Sequence, residues 1–340
     1  GWDQKYGNIQ WQAIPGKPHL RKGIGMSLAM HGTAIPYLDM GGASIKLNDD
    51  GSFNLLIGAT DLGTGSDTIL AQMAAEVLGT SIKEIIVYSS DTDFTPFDKG
   101  AYASSTTYIS GGAVTRAAQK AAEMIKRRAA MMLAAEDNAS VESYQLSDIK
   151  LRDSAANYID GRVISLQDIA LHSLHQQDQE QIMAVDSFVS KSSPPPFAAQ
   201  FAEITLDIET GNLIVDKLVM AVDAGIIVNP ATASGQIEGG MTQALGYAVC
   251  EEMTYQSDGT PVETDLISYH IFRSDEMPEL KVLFVETFEP THPFGVKALA
   301  EIPMDAVAPA VGNAILNASG AHVNQIPATP KRIWEAMQKR

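Results

Sequence analysis

The chain has 340 residues, 24 of them lysine or arginine against 41 aspartate or glutamate, for a formal charge of −17. An acidic balance of this size argues against a nucleic-acid surface, because neutralising phosphates takes clustered cations. At 45% hydrophobic and 19% charged the composition is that of a folded globular protein, and its length predicts two domains or subdomains.

A single cysteine, Cys250, excludes an internal disulfide and leaves no ligand set for an iron–sulfur cluster on this chain; it fits a reducing, cytoplasmic compartment. No apolar run reaches the roughly 18 residues of a membrane span. The start, Gly1-Trp2-Asp3, has no leader-like segment and no initiator methionine, so Gly1 is expected to be an internal or processed position of something longer. Residues 43–57 predict two alternating strands around Asn48-Asp49-Asp50-Gly51, residue types that reach the positive φ of a tight hairpin. Gly63-Thr64-Gly65 then opens an amphipathic helix with Ile69, Met73, Val77 and Leu78 at helical spacing. A strand follows over 84–90, then a small, polar, glycine-bounded segment from Asp98 to Gly112, then a long helix from Ala113 to Ala135.

The stretch 137–188 predicts a strand near Leu146 to Leu151, a turn at Asp160-Gly161 and a short helix from Ser165 to His175. Lys191-Ser192-Ser193-Pro194-Pro195-Pro196 cannot continue a helix or a central strand and marks the expected boundary between a first subdomain, 1–190, and a second, 191–340. Beyond it, 199–208 and 213–222 form a hairpin about Glu209-Thr210-Gly211-Asn212, and a helix runs from Ser234 to Val249. Strands are expected near 251–255 and 280–286, and helices from Met304 to Ala318 and after Pro330. Strands paired in hairpins point to an α+β fold, with mixed sheets and packed helices in two α+β subdomains.

Small or glycine residues precede a helix at Gly63 to Asp67, at Ala103 to Gly112 and at Ser234 to Gly240. Each start presents unpaired amides and the positive end of a helix dipole, a setting for an anion that needs no basic patch. The plain alternative is an ordinary helix start, since most bind nothing. Asp168, His172 and His175 at i, i+4 and i+7 form a conceivable metal face, but read more simply as a solvated face beside the glutamine-rich 176–181; no metal ligand is assigned. Glu301 lies in an otherwise apolar run, Phe294 to Pro303, where an unpaired carboxylate is costly to bury. A desolvated glutamate suits a general base; a salt bridge to Lys297 or a helix-capping role fits the spacing equally well.

Four motifs, in order, tie these segments together: Gly58-Ala59-Thr60-Asp61-Leu62-Gly63-Thr64-Gly65, Asp223-Ala224-Gly225 with Asn229-Pro230, Gly235-Gln236-Ile237-Glu238-Gly239, and Lys297-Ala298-Leu299-Ala300-Glu301-Ile302-Pro303. From about Gly23 to the end the chain resembles the molybdenum hydroxylases of the xanthine dehydrogenase and aldehyde oxidase type, specifically the C-terminal half of their molybdopterin-binding subunit. The resemblance implies that Gly63, Thr64, Gly65, then Ala103, Ser104, Ser105, Thr106 and Thr107, and also Gln236, contact molybdopterin, with or without a cytosine dinucleotide. It implies that Glu301 is the catalytic glutamate, taking the proton of a molybdenum-bound hydroxyl whose water-derived oxygen attacks an electron-poor carbon while hydride leaves to a sulfido ligand. It further implies a purine, another N-heterocycle or an aldehyde as the small-molecule substrate. Iron–sulfur clusters and FAD are then expected on other chains or domains, and the N-terminal half of the molybdopterin-binding subunit as a partner, without which this chain is expected to be inactive. Two departures stand out: Thr64 replaces the family's usual glutamine and Ala300 its usual glycine. Thr64 prompts the alternative of a non-catalytic assembly partner that keeps the fold without the cofactor.

Overall fold

The computed structural model describes residues 1–339. Short helices α1 (Trp2–Lys5) and α2 (Ile9–Gln12) precede β1 (Leu20–Met30), β2 (Met40–Leu47), β3 (Phe53–Ile57), α3 (Ser66–Leu78) and β4 (Ile85–Ser89). The long α4 (Thr106–Glu136) leads to β5 (Ile149–Arg152), β6 (Ala155–Tyr158), β7 (Val163–Ser165), α5 (Leu166–His175) and β8 (Met183–Val189). Then come β9 (Phe197–Asp207), β10 (Leu213–Asp223), α6 (Pro230–Val249), β11 (Glu279–Phe284), α7 (Ile302–Ser319) and α8 (Pro330–Gln338). The fold is α+β with mixed sheets, in two compact units. No helix among the described residues is long and apolar enough to cross a membrane.

Unit 1 gathers Gly1–His31, Pro195–Thr287 and Leu299–Arg340. Its sheet has the order β1-β9-β10-β11. Strands β9 and β10 form the expected hairpin, Leu206 opposite Leu213, and turn alternate side chains inward as a pleated strand must. Ile204, Leu206, Leu218 and Met220 are buried against Ile237, Met241, Val307 and Val311 of α6 and α7. The first 31 residues join this unit, not the segment that follows them in sequence, because β1 pairs antiparallel with β9 from Leu20 opposite Asp207 to Met30 opposite Phe197. Gly23 and Gly25 set the β1 backbone directly on α7: a Cβ at Gly25 would lie 2.1 Å from the Ala310 carbonyl oxygen, and one at Gly23 2.2 Å from that of Ala314. Strands β10 and β11 run parallel, which a reading by hairpins does not foresee.

Helix α6 begins earlier than Ser234. The Asn229 side chain accepts the amides of Ala231 and Thr232, and Pro230 occupies the first helical position, where its missing N–H is no loss. The strand expected near 251–255 is replaced by an isolated bridge from Tyr255 to Pro261. Asp258 turns the chain between them by accepting the Thr260 amide, and no neighbouring strand is there to extend the pairing among the described residues.

Unit 2 comprises Gly32–Pro194 and Phe288–Ala298. Its main sheet has the order β4-β3-β2-β8. Strands β2 and β3 are the expected hairpin, Leu47 opposite Phe53, turned at Gly51 with φ of 89°. Strands β3 and β4 are parallel, joined through α3. Ile45, Leu55 and Ile57 of the sheet are fully buried, as are Leu70 and Met73 of α3 and Ile125 of α4. Helix α4 starts at Thr106, so half of the segment expected as a polar loop up to Gly112 is helical. Gly111 and Gly112 sit inside it because a Cβ would approach Met73 Sδ to 2.8 Å and Phe188 Cγ to 2.7 Å. Close packing thus outweighs the weak helix propensity of glycine.

A small antiparallel sheet, β5-β6-β7, leads into α5, whose start is capped by Ser165 accepting the Asp168 amide. His172 is partly buried rather than on a wholly solvated face: its Nδ1 has no hydrogen-bond partner among the described residues, and burial, reinforced by Arg128, pushes its pKa down. Among the described residues no group of three or more His, Cys, Asp or Glu is placed to hold a metal ion. The segment 288–298 belongs to this unit through Tyr108, whose hydroxyl lies 2.6 Å from that of Thr291, and through His292, packed beside Tyr108 and Phe188.

Candidate functional site

The candidate residues are distributed over both units: Gly63 to Gly65 and Ala103 to Thr107 in unit 2, Gln236 and Glu301 in unit 1. In unit 2 the chain leaves β3 and enters α3 through the glycine loop. Gly63 and Gly65 take left-handed φ values of 92° and 78°, which side-chain-bearing residues rarely adopt. The loop closes on a carboxylate of its own. Asp61 Oδ1 accepts the amides of Gly63 at 2.9 Å and Gly65 at 3.1 Å, and Oδ2 accepts that of Asp67 at 3.3 Å.

Three amides that the sequence reading leaves open for an anion are therefore already paired. Burial raises the pKa of Asp61, but the amides of Asp67, Gly65 and Gly63 outweigh it and hold the carboxyl below its usual range. The Thr64 hydroxyl lies 3.5 Å from Asp61 Oδ1. A Cβ on Gly63 would meet nothing within 4 Å, and Ser66 Oγ and Asp67 Oδ1 are buried with no hydrogen-bond partner among the described residues. Asp61 belongs to the motif read from the sequence, but its organising role was missed there; an aspartate two residues before a glycine is the signature of such a side-chain turn.

Ahead of α4, Ala103 and Ser104 both sit at positive φ, 48° and 51°. Two consecutive left-handed residues that are not glycine cost on the order of 1–3 kcal/mol each and persist only where the surroundings over-determine them. Here the Ala103 carbonyl accepts the Ala34 amide at 2.9 Å, and the Gly100 carbonyl accepts the Tyr102 amide at 3.1 Å and the Ser105 hydroxyl at 3.2 Å. Ser105 is buried. Thr106 and Thr107 open the helix, where first-turn amides have no carbonyl one turn back to bond.

In unit 1, Gln236 is partly exposed on α6 between Gly235 and Gly239, at each of which a Cβ would meet nothing within 4 Å. Glu301 stands at the N-cap of α7. Its carbonyl accepts the Met304 amide at 3.0 Å, while its side chain makes no capping bond. Ile302 and Pro303 are buried, but the Glu301 side chain is 48% exposed, so the desolvated carboxylate expected from its apolar flanks is not found. It turns outward where the helix begins. Its Oε2 lies 3.1 Å from His31 Nε2, and His31 Nδ1 lies 3.1 Å from Asp305 Oδ2. Neither His31 nor Asp305 figures in the sequence reading; the one local signal is the four-residue spacing of Glu301 and Asp305, which puts both on one helix face. Ala300 is not among the residues at positive φ, so alanine in place of the family's glycine carries no left-handed strain.

Residues 1–278 match the model of the molybdopterin cofactor-binding domain. The chain belongs to this family. This molybdopterin cofactor-binding domain is 33% identical over 339 residues to the xanthine dehydrogenase molybdenum-binding subunit of Escherichia coli, covering 98% of this chain and 44% of that one. It is 28% identical over 345 residues to the aldehyde oxidoreductase molybdenum-binding subunit of Escherichia coli, with coverage of 98% and 43%. Its backbone superposes on quinoline 2-oxidoreductase from Pseudomonas putida 86 with a TM-score of 0.87 at 25% identity, over 97% of this chain and 44% of that one. The chain thus spans about half the length of the curated relatives it matches. The resemblance to the molybdenum hydroxylases stands on these matches. Around the glycine loop the residues fit a polar pterin: Gly63 is open, and Ser66 Oγ and Asp67 Oδ1 are buried without a hydrogen-bond partner among the described residues.

Proposed function

We propose that this chain is the C-terminal half of the molybdopterin-binding region of a hydroxylase, which places a water-derived oxygen on an electron-poor carbon of a purine, another N-heterocycle or an aldehyde. The observation that carries the reading is the Glu301 carboxylate, half exposed at the start of α7 yet tied at one oxygen to His31. It is an ordered proton acceptor within reach of solvent-side chemistry. In this reading Gly63, Thr64, Gly65, Ala103 to Thr107 and Gln236 contact the cofactor.

When bound, the molybdenum centre supplies the two-electron oxidation. Glu301 takes up the proton that the water-derived oxygen sheds as its bond to carbon forms. Overall a C–H bond and water become C–OH, two protons and two electrons, and the electrons pass to iron–sulfur and flavin groups on other chains or domains. Replacing Glu301 by Gln in the assembled enzyme keeps the shape and removes the base. Turnover is expected to fall by at least about 10²-fold, with molybdenum retained; unchanged turnover sinks the assignment. The Asp61 carboxylate, seated on three amides of the glycine loop, favours a second reading as a non-catalytic assembly partner. A folded complex that contains no molybdenum by mass spectrometry would decide for it.

A further inference from the structure

Strand β1 and helix α7 run past each other in step. Gly23 faces Ala314, Gly25 faces Ala310, and the Ser27 hydroxyl donates to the Ala306 carbonyl at 2.6 Å. Two strand residues advance about 6.6 Å and four helix residues about 6 Å, so this pairing holds its phase over about two turns. Asn313 Nδ2 adds a bond to the Met26 carbonyl at 2.8 Å. One more step of the same register brings Ala29 opposite Ile302, the first residue of α7, and His31 follows just past the end of the strand. There its amide is pinned to the Pro196 carbonyl at 3.2 Å, and its ring meets Glu301 on one nitrogen and Asp305 on the other.

Both ring contacts are 3.1 Å. Nε2 faces Glu301 and Nδ1 faces Asp305, and which of the two nitrogens donates depends on the tautomer. Oε2 of Glu301 thus lies against a ring that Asp305 grips from the far side. The three side chains are 31%, 48% and 39% exposed for His31, Glu301 and Asp305. Ion pairs this open to solvent add little to stability, so the arrangement is better explained by the orientation it imposes than by the energy it stores.

We propose that His31, itself oriented by Asp305, is a positioning residue that fixes the Glu301 carboxylate through Oε2. The inference rests on the reading of Glu301 as the base. A misplacement of about 1 Å at a reacting group lowers rates by about 10²-fold. In the molybdenum-loaded enzyme containing this chain, His31→Phe keeps a ring but removes both bonds, and kcat is expected to fall about 10- to 100-fold with KM nearly unchanged. His31→Gln, whose amide donates toward Glu301, restores most of that loss.

A readout independent of turnover comes from nitrogen NMR of the histidine-labelled chain. The His31 Nε2 resonance is expected to move on Glu301→Gln, and the Nδ1 resonance on Asp305→Asn. Normal kcat in His31→Phe, alongside a collapse in Glu301→Gln, overturns the positioning role and leaves the base intact. No effect of Glu301→Gln overturns the base and the inference together. Should His31→Phe fail to fold or to load molybdenum, an Nε2 resonance indifferent to Glu301→Gln overturns the inference by itself.

Discussion

Asp61 in unit 2 and Glu301 in unit 1 both precede a helix, and they are held in opposite ways. Asp61 is gripped by main chain, through the amides of Gly63, Gly65 and Asp67, while Glu301 is gripped by a side chain that a second carboxylate steadies. Backbone donors cannot swing away, so the first carboxylate is a fixed part of its loop. Side-chain donors leave the second open to solvent and adjustable by one substitution that spares the backbone. The two histidines repeat the contrast. His31 is partly exposed with a partner at each nitrogen; His292 is 1% exposed, accepts the Phe294 amide on Nδ1 at 3.1 Å, and buries Nε2 without a partner among the described residues.

The harshest way to break the comparison is to push β1 off α7, because the Glu301 arrangement depends on that register. In Gly25→Ala the new Cβ would lie 2.1 Å from the Ala310 carbonyl oxygen and 2.3 Å from the Ala314 amide nitrogen, backbone atoms that cannot rotate aside. A loss of about 3 kcal/mol or more is expected from the urea unfolding midpoint. A loss below about 1 kcal/mol would mean the contact is soft and the register is set elsewhere.

The next test concerns unit 2 and its buried ring. Burial pushes the His292 pKa down to about 4. The unfolded chain, with an ordinary histidine near 6.5, then binds more protons than the folded one between pH 6.5 and 4, so stability falls as pH falls across that window. The expected loss is on the order of 3 kcal/mol across it. His292→Asn, which keeps an acceptor for the Phe294 amide, should flatten this slope in pH-dependent unfolding, and a slope that survives assigns it to other groups.

The smallest effect is expected at Asp61. Asp61→Asn keeps one acceptor oxygen but removes the charge and turns an amide N–H toward the donors, which should cost about 1–2 kcal/mol at neutral pH. Because the folded pKa is lowered, that advantage is present above the ordinary carboxylate range and disappears as pH falls through the folded value. Wild type and variant should therefore converge in acid. Persistent separation would show that the loop needs the shape of Asp61 rather than its charge.

Much of the fold was legible locally. The hairpins at Asn48 to Gly51 and Glu209 to Asn212, the helix after Gly65 and the helix after Pro330 all follow from turn chemistry and periodicity within a few residues. The expected strand near 251–255 failed because alternation alone supplies no partner to pair with. The late start predicted for α4 failed because Gly111 and Gly112 look like loop residues until Met73 and Phe188 are placed against them. At the candidate site the glycine loops and Glu301 could be named from motifs, whereas the exposure of Glu301 and the pairing of the Asp61 carboxylate could not.

Sequence by itself determined the family motifs, the helix starts after Gly65 and at Pro330, and which strands turn back on themselves, since each is a contest between neighbouring residues for backbone conformation. Only the tertiary structure decided that the first strand joins β9, nearly two hundred positions away, and that His31 stands between Glu301 and Asp305. Such pairings are selected by close approach and shared burial among segments remote in the chain, here by two glycines that let a strand lie directly on a helix.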